Sequence, residues 1–267
     1  MDTLYFEMAG FLIRIRLYKS VWPFFTEKSF RDRLMVLYGG FLVNSIPEKE
    51  PDFTIDFVYS QLPEVFIRVR EKKTYMIFYE EIQRRRIKTF YHISDAQFIL
   101  ILRHVIQKLL ASKGGVMIHA SGVLIKNKAY IFTGSSGAGK STAMQFLASK
   151  YTAIADDSVI IKRESGEFFL YQTPFKEAQE WVIKKLGKYQ LGGIFALEKS
   201  LIDRIEINND TEAFVSLLME QFFTEAEDAD VQVKEVLNLA AKFNRFYSLH
   251  FGLQDPIRVV KLFDILN

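Results

Sequence analysis

Gly134-Ser135-Ser136-Gly137-Ala138-Gly139-Lys140-Ser141-Thr142 is the stretch from which the rest of the chain is read. It satisfies G-x-x-x-x-G-K-[ST] in full, and its residue types answer one chemical demand. A polyphosphate needs many donors crowded around its oxygens. Glycines let backbone N–H groups come close with no side chain in the way. A helix opening straight after the loop adds partial positive charge and unpaired N–H groups. In such a loop Lys140 supplies a mobile charge to the β- and γ-phosphates, and Ser141 offers a hydroxyl to magnesium. The flanks agree: Ala129 to Thr133 reads as a short buried strand, and Lys140 to Lys150 as a helix. The plain alternative is a glycine-rich turn joining two elements. The full match in this context favours residues 134–142 as a binding loop for ATP with magnesium.

Downstream, Thr152 to Ala155 reads as a strand that ends in Asp156-Asp157. Enzymes with such a loop present an acid to the metal from a neighbouring strand. Two adjacent carboxylates point in different directions, so one can hold the metal while the other faces an acceptor hydroxyl. Elsewhere an Asp-Asp pair is most often a turn or a helix cap. Its place at a strand end, sixteen residues beyond Lys140, favours the functional reading. Upstream lies His119, within Ile118-His119-Ala120-Ser121-Gly122. By spacing alone, a lone His in an apolar strand is a hydrogen-bonded core residue. His92, His104 and His250 stand at no metal-ligand spacing from it, so no zinc site is expected.

Further out, the first hundred residues read mostly as strand. Phe11 to Leu17 alternates apolar and charged residues, and Phe53–Tyr59, Val65–Arg70 and Tyr75–Tyr79 follow in the same style. Turn residues separate them: Gly39-Gly40, the prolines at 47, 51 and 63, and Glu71-Lys72-Lys73. Ser94-Asp95 caps a helix through about Leu110, and Gly114-Gly115 ends it. A boundary is expected there, dividing a β-rich domain of residues 1–113 from a domain of residues 114–267. The second part opens with the apolar stretch Val116 to Ile125, and Asn127-Lys128 reads as a hairpin turn. Ser158–Arg163 and Phe168–Tyr171 read as a strand pair around Ser165-Gly166. Beyond them helices are predicted over 176–186, 210–223, 231–243 and 256–266. Strands are predicted over 192–198, 203–207 and 246–251. The mixture makes the fold class α/β.

Composition bounds the rest. With 267 residues, 49% hydrophobic and 25% charged, the chain can bury a sizeable core. It holds no cysteine, which excludes disulfides, thiolate chemistry and Cys-ligated zinc or iron–sulfur sites. The net charge of +3 is too small to argue for a nucleic-acid partner. Arg84-Arg85-Arg86, with Lys88 nearby, reads as a solvated turn or strand edge. The 25 phenylalanines read as core and strand filler. No long uncharged apolar window predicts a membrane span, and Met1 to Glu7 does not make a signal peptide. A cytoplasmic protein is therefore expected.

Three motifs together carry a family resemblance. His119-Ala120-Ser121-Gly122-Val123, then Gly134 to Thr142, then Ala155-Asp156-Asp157-Ser158-Val159 resemble, in order and distance, the catalytic domain of HPr kinase/phosphorylase. The likeness covers about Val116 to Ile161, and continues more weakly through Thr173-Pro174-Phe175 and the strand Gly193 to Glu198. It implies a mixed-sheet P-loop kinase core of the phosphoenolpyruvate carboxykinase/HPr kinase type. It implies phosphoryl transfer from ATP to a serine-type hydroxyl. Lys140 would hold phosphates, Ser141 and Asp156 the metal, and Asp157 would act as base with His119 close by. It also allows self-association. The chain departs from the family in three places. Ala120 replaces a glycine, no counterpart of the glycine-rich HPr-docking loop follows, and the first hundred residues do not look like the family's regulatory domain. The expected acceptor is therefore a hydroxyl on a peptide, protein or small molecule other than HPr. The rival readings are a non-catalytic nucleotide-binding regulator, and a P-loop NTPase needing an arginine finger from Arg204, Arg245 or Arg258.

Overall fold

Alternating apolar and polar residues build the first sheet, and buried two-faced strands build the second. The computed structural model describes residues 2–19, 27–43, 45–59, 66–70, 73–175, 181–223 and 229–264 (for 27, 66–70 and 73–77, the backbone). The chain divides into two compact units, Met1–Ile106 and Gln107–Asn267.

In the first unit β1 (Asp2–Met8) and β2 (Phe11–Leu17) form a hairpin. Its two-residue turn, Ala9-Gly10, has both φ angles positive, as the strand twist requires. The helix α1 (Glu27–Tyr38) and a single 3-10 turn lead to β3 (Leu42–Val43) and β4 (Phe53–Val58). A separate hairpin joins β5 (Phe66–Arg70) to β6 (Lys73–Ile77). Then come β7 (Tyr79–Gln83), β8 (Arg86–Phe90) and the helix α2 (Asp95–Lys113), whose residues from Gln107 on belong to the second unit. The sheet order is β3-β1-β2-β4-β8-β7. Phe30, Phe57, Tyr91 and Phe98 pack ring against ring in its core, which is the filler role expected of the aromatics. Asp56 is buried, and both Arg16 and Arg86 stand 2.6 Å from its oxygens. The basic run thus has two faces: Arg84 and Arg85 are exposed in a turn, while Arg86 serves this pair. Ser94 and Gln97 close a reciprocal capping box at the start of α2.

Sequence periodicity had not marked β1 or α1. The helix α1 exposes three consecutive apolar residues, Met35, Val36 and Leu37, which spread around its circumference and blur its apolar stripe. The expected strand at 75–79 straddles a break, with β6 ending at Ile77 and β7 starting at Tyr79.

The second unit is a mixed α/β layer structure. Its strands are β9 (Val116–His119), β10 (Ser121–Ile125), β11 (Lys128–Thr133), β12 (Thr152–Ala155), β13 (Ser158–Glu164), β14 (Glu167–Gln172), β15 (Lys188–Lys199), β16 (Arg204–Ile207), β17 (Phe222–Phe223) and β18 (Phe246–Phe251). Its helices are α3 (Lys140–Ala148), α4 (Thr211–Gln221), α5 (Ala229–Lys242) and α6 (Pro256–Phe263). The strands β11, β15 and β18 run parallel and adjacent; on one side β10 pairs antiparallel with β11, and β12 antiparallel with β10. Through its first half, β15 also pairs with β14, which leads to β13, β9 and β17. Side chains of β11 alternate between two cores. Ala129 and Ile131 join Phe214, Leu218 and Leu239 on one face; Tyr130 and Phe132 join Met144, Leu147 and Phe263 on the other. Both faces are covered, so the strand reads as continuously apolar. Each fully buried phenylalanine contributes about 2–3 kcal/mol.

Four expectations need correction here. The apolar run 116–125 is two strands, broken at Ala120. The hairpin turn is Lys126-Asn127, both with positive φ, and Lys128 already pairs with Ile125. The predicted helix 210–223 stops at Gln221, because Phe222 and Phe223 pair with Ile118 and Met117 as β17. The predicted helix 176–186 is not one where described: residues 181–187 are turn and coil, and 176–180 lie outside the described residues. Side-chain partners replace the helix ladder there, since the Gln172 amide donates to Ile183 O at 3.2 Å and Val182 is buried.

Candidate active site

The site forms where the chain twice crosses between the two parts of the sheet. At Ala120 it passes from β9 to β10, and at Asp156-Asp157 from β12 to β13. The crossings touch: Ala120 N donates to Asp157 O at 3.1 Å. Ser158 lies opposite His119 in the β9–β13 register. The carboxyl end of β11 joins them, since Thr133 Oγ1 donates to His119 O at 3.3 Å. Residues 119, 133 and 157 are therefore neighbours for topological reasons.

From Thr133 the chain enters the glycine-rich loop. Ser135, Ser136 and Gly137 are exposed, while Gly139, Lys140, Ser141 and Thr142 are half-buried. Ala138 N closes the turn on Ser135 O at 3.1 Å. Gly139 caps α3 with φ +101°, and a Cβ there would lie 2.9 Å from the Phe251 ring. Both facts demand glycine. The Lys140 ammonium folds back over the loop, 2.8 Å from Gly134 O and 3.3 Å from Ser135 O. Ser121 Oγ donates to Lys140 O at 2.7 Å and pins the first turn of α3 to β10. The loop thus holds its cation at its own mouth, with helix-terminal N–H groups behind it.

The two aspartates part company. Asp157 turns toward His119: its Oδ1 lies 4.0 Å from His119 Nδ1, and its side chain is 12% exposed against 27% for the imidazole. Ser158 Oγ donates to Asp157 Oδ2 at 2.8 Å. Thr173 Oγ1 donates in turn to Ser158 O at 2.8 Å. One carboxylate oxygen thus accepts from Ser158 while the other faces the imidazole. Asp156 turns inward. Its side chain is fully enclosed, and its Oδ1 lies 2.6 Å from the Lys184 ammonium, itself 4% exposed. The angle between them falls short of a well-formed hydrogen bond, but opposite charges at that separation out of water attract strongly whatever the angle.

Of the residues predicted from sequence, Lys140, His119 and Asp157 come together around the start of the loop, and Ser141 opens α3 beside them. Asp156 is adjacent in chain but enclosed with Lys184. Sequence reading quotes Ser158 and Thr173 in the resembling motifs without giving them a role, and it does not single out Lys184. Lys184 falls in the predicted helix 176–186, where a lysine reads as solvated, and no local signal marks it. Ser158 opens β13 directly after the acid pair and Thr173 follows β14, and their hydroxyls are ordinary in sequence. Among the arginine-finger candidates, Arg204 binds Glu206 at 2.7 Å and Arg245 donates to Leu191 O at 2.9 Å. Arg258 lies 3.9 Å from Asp203. No cluster of three or more His, Cys, Asp or Glu able to hold a metal occurs among the described residues. No helix among them is long and apolar enough to cross a membrane.

A family model described as SynChlorMet cassette protein ScmC matches residues 92–243. No curated protein matches the chain. Among solved structures, the Hpr(Ser) kinase/phosphatase from Coxiella burnetii is similar over 55% of this chain and 93% of that one, at 12% identity and a TM-score of 0.30.

Proposed function

The chain belongs to the ScmC family of SynChlorMet cassette proteins, and for this member we propose an ATP- and magnesium-dependent kinase that phosphorylates a serine-type hydroxyl. The acceptor is a peptide, protein or small molecule, and the core is a P-loop core of the phosphoenolpyruvate carboxykinase/HPr kinase type. One observation carries the reading: the glycine-rich loop starts at a strand end hydrogen-bonded to His119, whose imidazole faces Asp157 at 4.0 Å. The antiparallel β10 beside β11 suits a mixed-sheet core rather than a parallel one.

The residues fit a magnesium triphosphate. Gly139 admits no side chain, Gly137 has open space where a Cβ would stand, and Lys140 sits at the loop's mouth. Residues 134–142 would hold the phosphates, with Lys140 on the β/γ oxygens. The Ser141 hydroxyl would hold the metal, which when bound supplies neutralising charge for the transferring group. Asp156 holds Lys184 through its Oδ1, so any share it takes in the metal would fall to its other oxygen. Asp157 takes the acceptor's proton on its Oδ1, and His119 orients and shares that charge. The acceptor O–H bond breaks as its oxygen bonds to the γ-phosphorus, and the β–γ bridging bond breaks to release ADP. Transfer of this kind depends chiefly on positioning and charge stabilisation.

Asp157→Asn keeps shape and hydrogen bonding but removes the base. It should lower transfer from labelled ATP by about 10²–10⁴-fold while calorimetric ATP affinity stays near wild type. Full transfer activity in the variant would refute the base assignment. The enclosure of Asp156 with Lys184 favours a second reading, a nucleotide-binding regulator without transfer. That reading expects ATP binding but no labelled product with any hydroxyl acceptor, and no effect of Asp157→Asn beyond binding.

A further inference from the structure

A cleft of about 590 Å³ opens beside the loop, at the carboxyl ends of β15 and β18. Gly139 and Thr142 line one side; Ser200, Leu201, Phe251 and Leu253 line the other. His119, Asp156 and Asp157 do not border it. Its outer wall is cross-braced. Ser200 N donates to Phe251 O at 3.0 Å, Gly252 N to the Asp203 carboxylate at 3.1 Å, and Ile202 N to Ser200 Oγ at 3.0 Å. The two connecting loops approach so closely that a Cβ on Gly252 would stand 2.8 Å from Ser200 O. Yet Leu201 is 82% exposed and Leu253 74%. A single exposed leucine needs no explanation. Two on a braced wall of one cleft, continuous with a loop shaped for anions, do.

We propose that this cleft seats the base and ribose of the nucleotide whose phosphates the loop holds, with the base between Leu201 and Leu253 over Phe251. The inference rests on the nucleotide-binding reading above and deepens it. Chemistry sets the orientation. Lys140 reaches the β- and γ-phosphates, and Ser141 the metal between them. Thr142 and Gly139 border the cleft, so the α-phosphate end leaves the loop there. The terminal phosphate then lies toward Asp157 and His119, away from the cleft. The volume lies within the usual range for small-ligand pockets, and the mostly apolar lining suits the faces of a flat heterocycle. Carboxyl ends of parallel strands are where α/β sheets receive such ligands. The acceptor would then approach from the side opposite the nucleoside.

The test is calorimetry on the full chain with magnesium ATP and with magnesium tripolyphosphate, which has phosphates but no base. Leu201→Ser/Leu253→Ser alters exposed side chains and should fold as wild type. It should weaken ATP binding about tenfold or more and leave tripolyphosphate affinity unchanged, while Lys140→Ala weakens both. Unchanged ATP affinity in the double serine variant, with tripolyphosphate still bound by wild type, overturns the cleft and spares the loop. Equal loss of both ligands in that variant also overturns it. Wild type that binds neither ligand overturns the loop reading and the cleft with it.

Discussion

Lys184 reaches Asp156 from the stretch that follows β14, and both charges leave water to meet. Solvation is lost on both sides, so their attraction does little more than offset that cost. Removing one partner is different, because the other stays buried and uncompensated. Lys184→Met should therefore lower stability by about 3–5 kcal/mol, read as the urea midpoint. Combining it with Asp156→Asn should recover most of the loss, since no charge then remains. A cost below about 1 kcal/mol for Lys184→Met would mean the pair is solvated and the enclosure wrong. Asp157, one residue on, accepts from the Ser158 hydroxyl and faces the His119 imidazole at 4.0 Å. One peptide bond thus separates an anchoring carboxylate from the proposed base.

Among elements, the β13–β14 hairpin is fastened to β15 at Glu164. Lys188 Nζ lies 2.5 Å from its Oε2, and the Tyr171 hydroxyl donates to its other oxygen. Partial burial alone would raise the Glu164 pKa, but the hydrogen bonds from Lys188 and Tyr171 outweigh it and hold the value below the ordinary 4.5. The folded state therefore binds its proton less readily than the unfolded chain. The stabilisation is complete above 4.5 and fades as the pH falls through the lower folded value. Glu164→Gln should flatten this acid limb of the urea-midpoint profile and leave the neutral-to-basic limb unchanged. An acid limb as steep as wild type would show that the fastening contributes nothing. The same three-strand junction holds β14 in place ahead of Gln172 and Thr173, which reach the site.

At the scale of the molecule, the second unit gathers both proposed ligand ends onto one sheet. Magnesium ATP at a hundred times its dissociation constant should stabilise that fold by about 2.7 kcal/mol. Hydrogen exchange should slow across β10, β11, β12 and α3, and Lys140→Ala should abolish the effect. Protection persisting in the Lys140→Ala protein would place the ligand elsewhere. What the chain's own order of residues determined was local. Glycine and lysine spacing marks the loop, a two-faced apolar run marks β11, and capping residues mark α2. Each signal lies within one element, where neighbours in sequence are neighbours in space. The mixed α/β class followed from the same periodicities. Three things were decided only by the tertiary structure. The meeting of His119 with Asp157 depends on two strand crossings 37 residues apart. The enclosure of Asp156 depends on a lysine 28 residues further on. The cleft walls come from loops after β15 and β18, more than 50 residues apart. Contacts across such separations are set by which strands pair and which faces are buried. No periodicity of 2 or 3.6 residues encodes that.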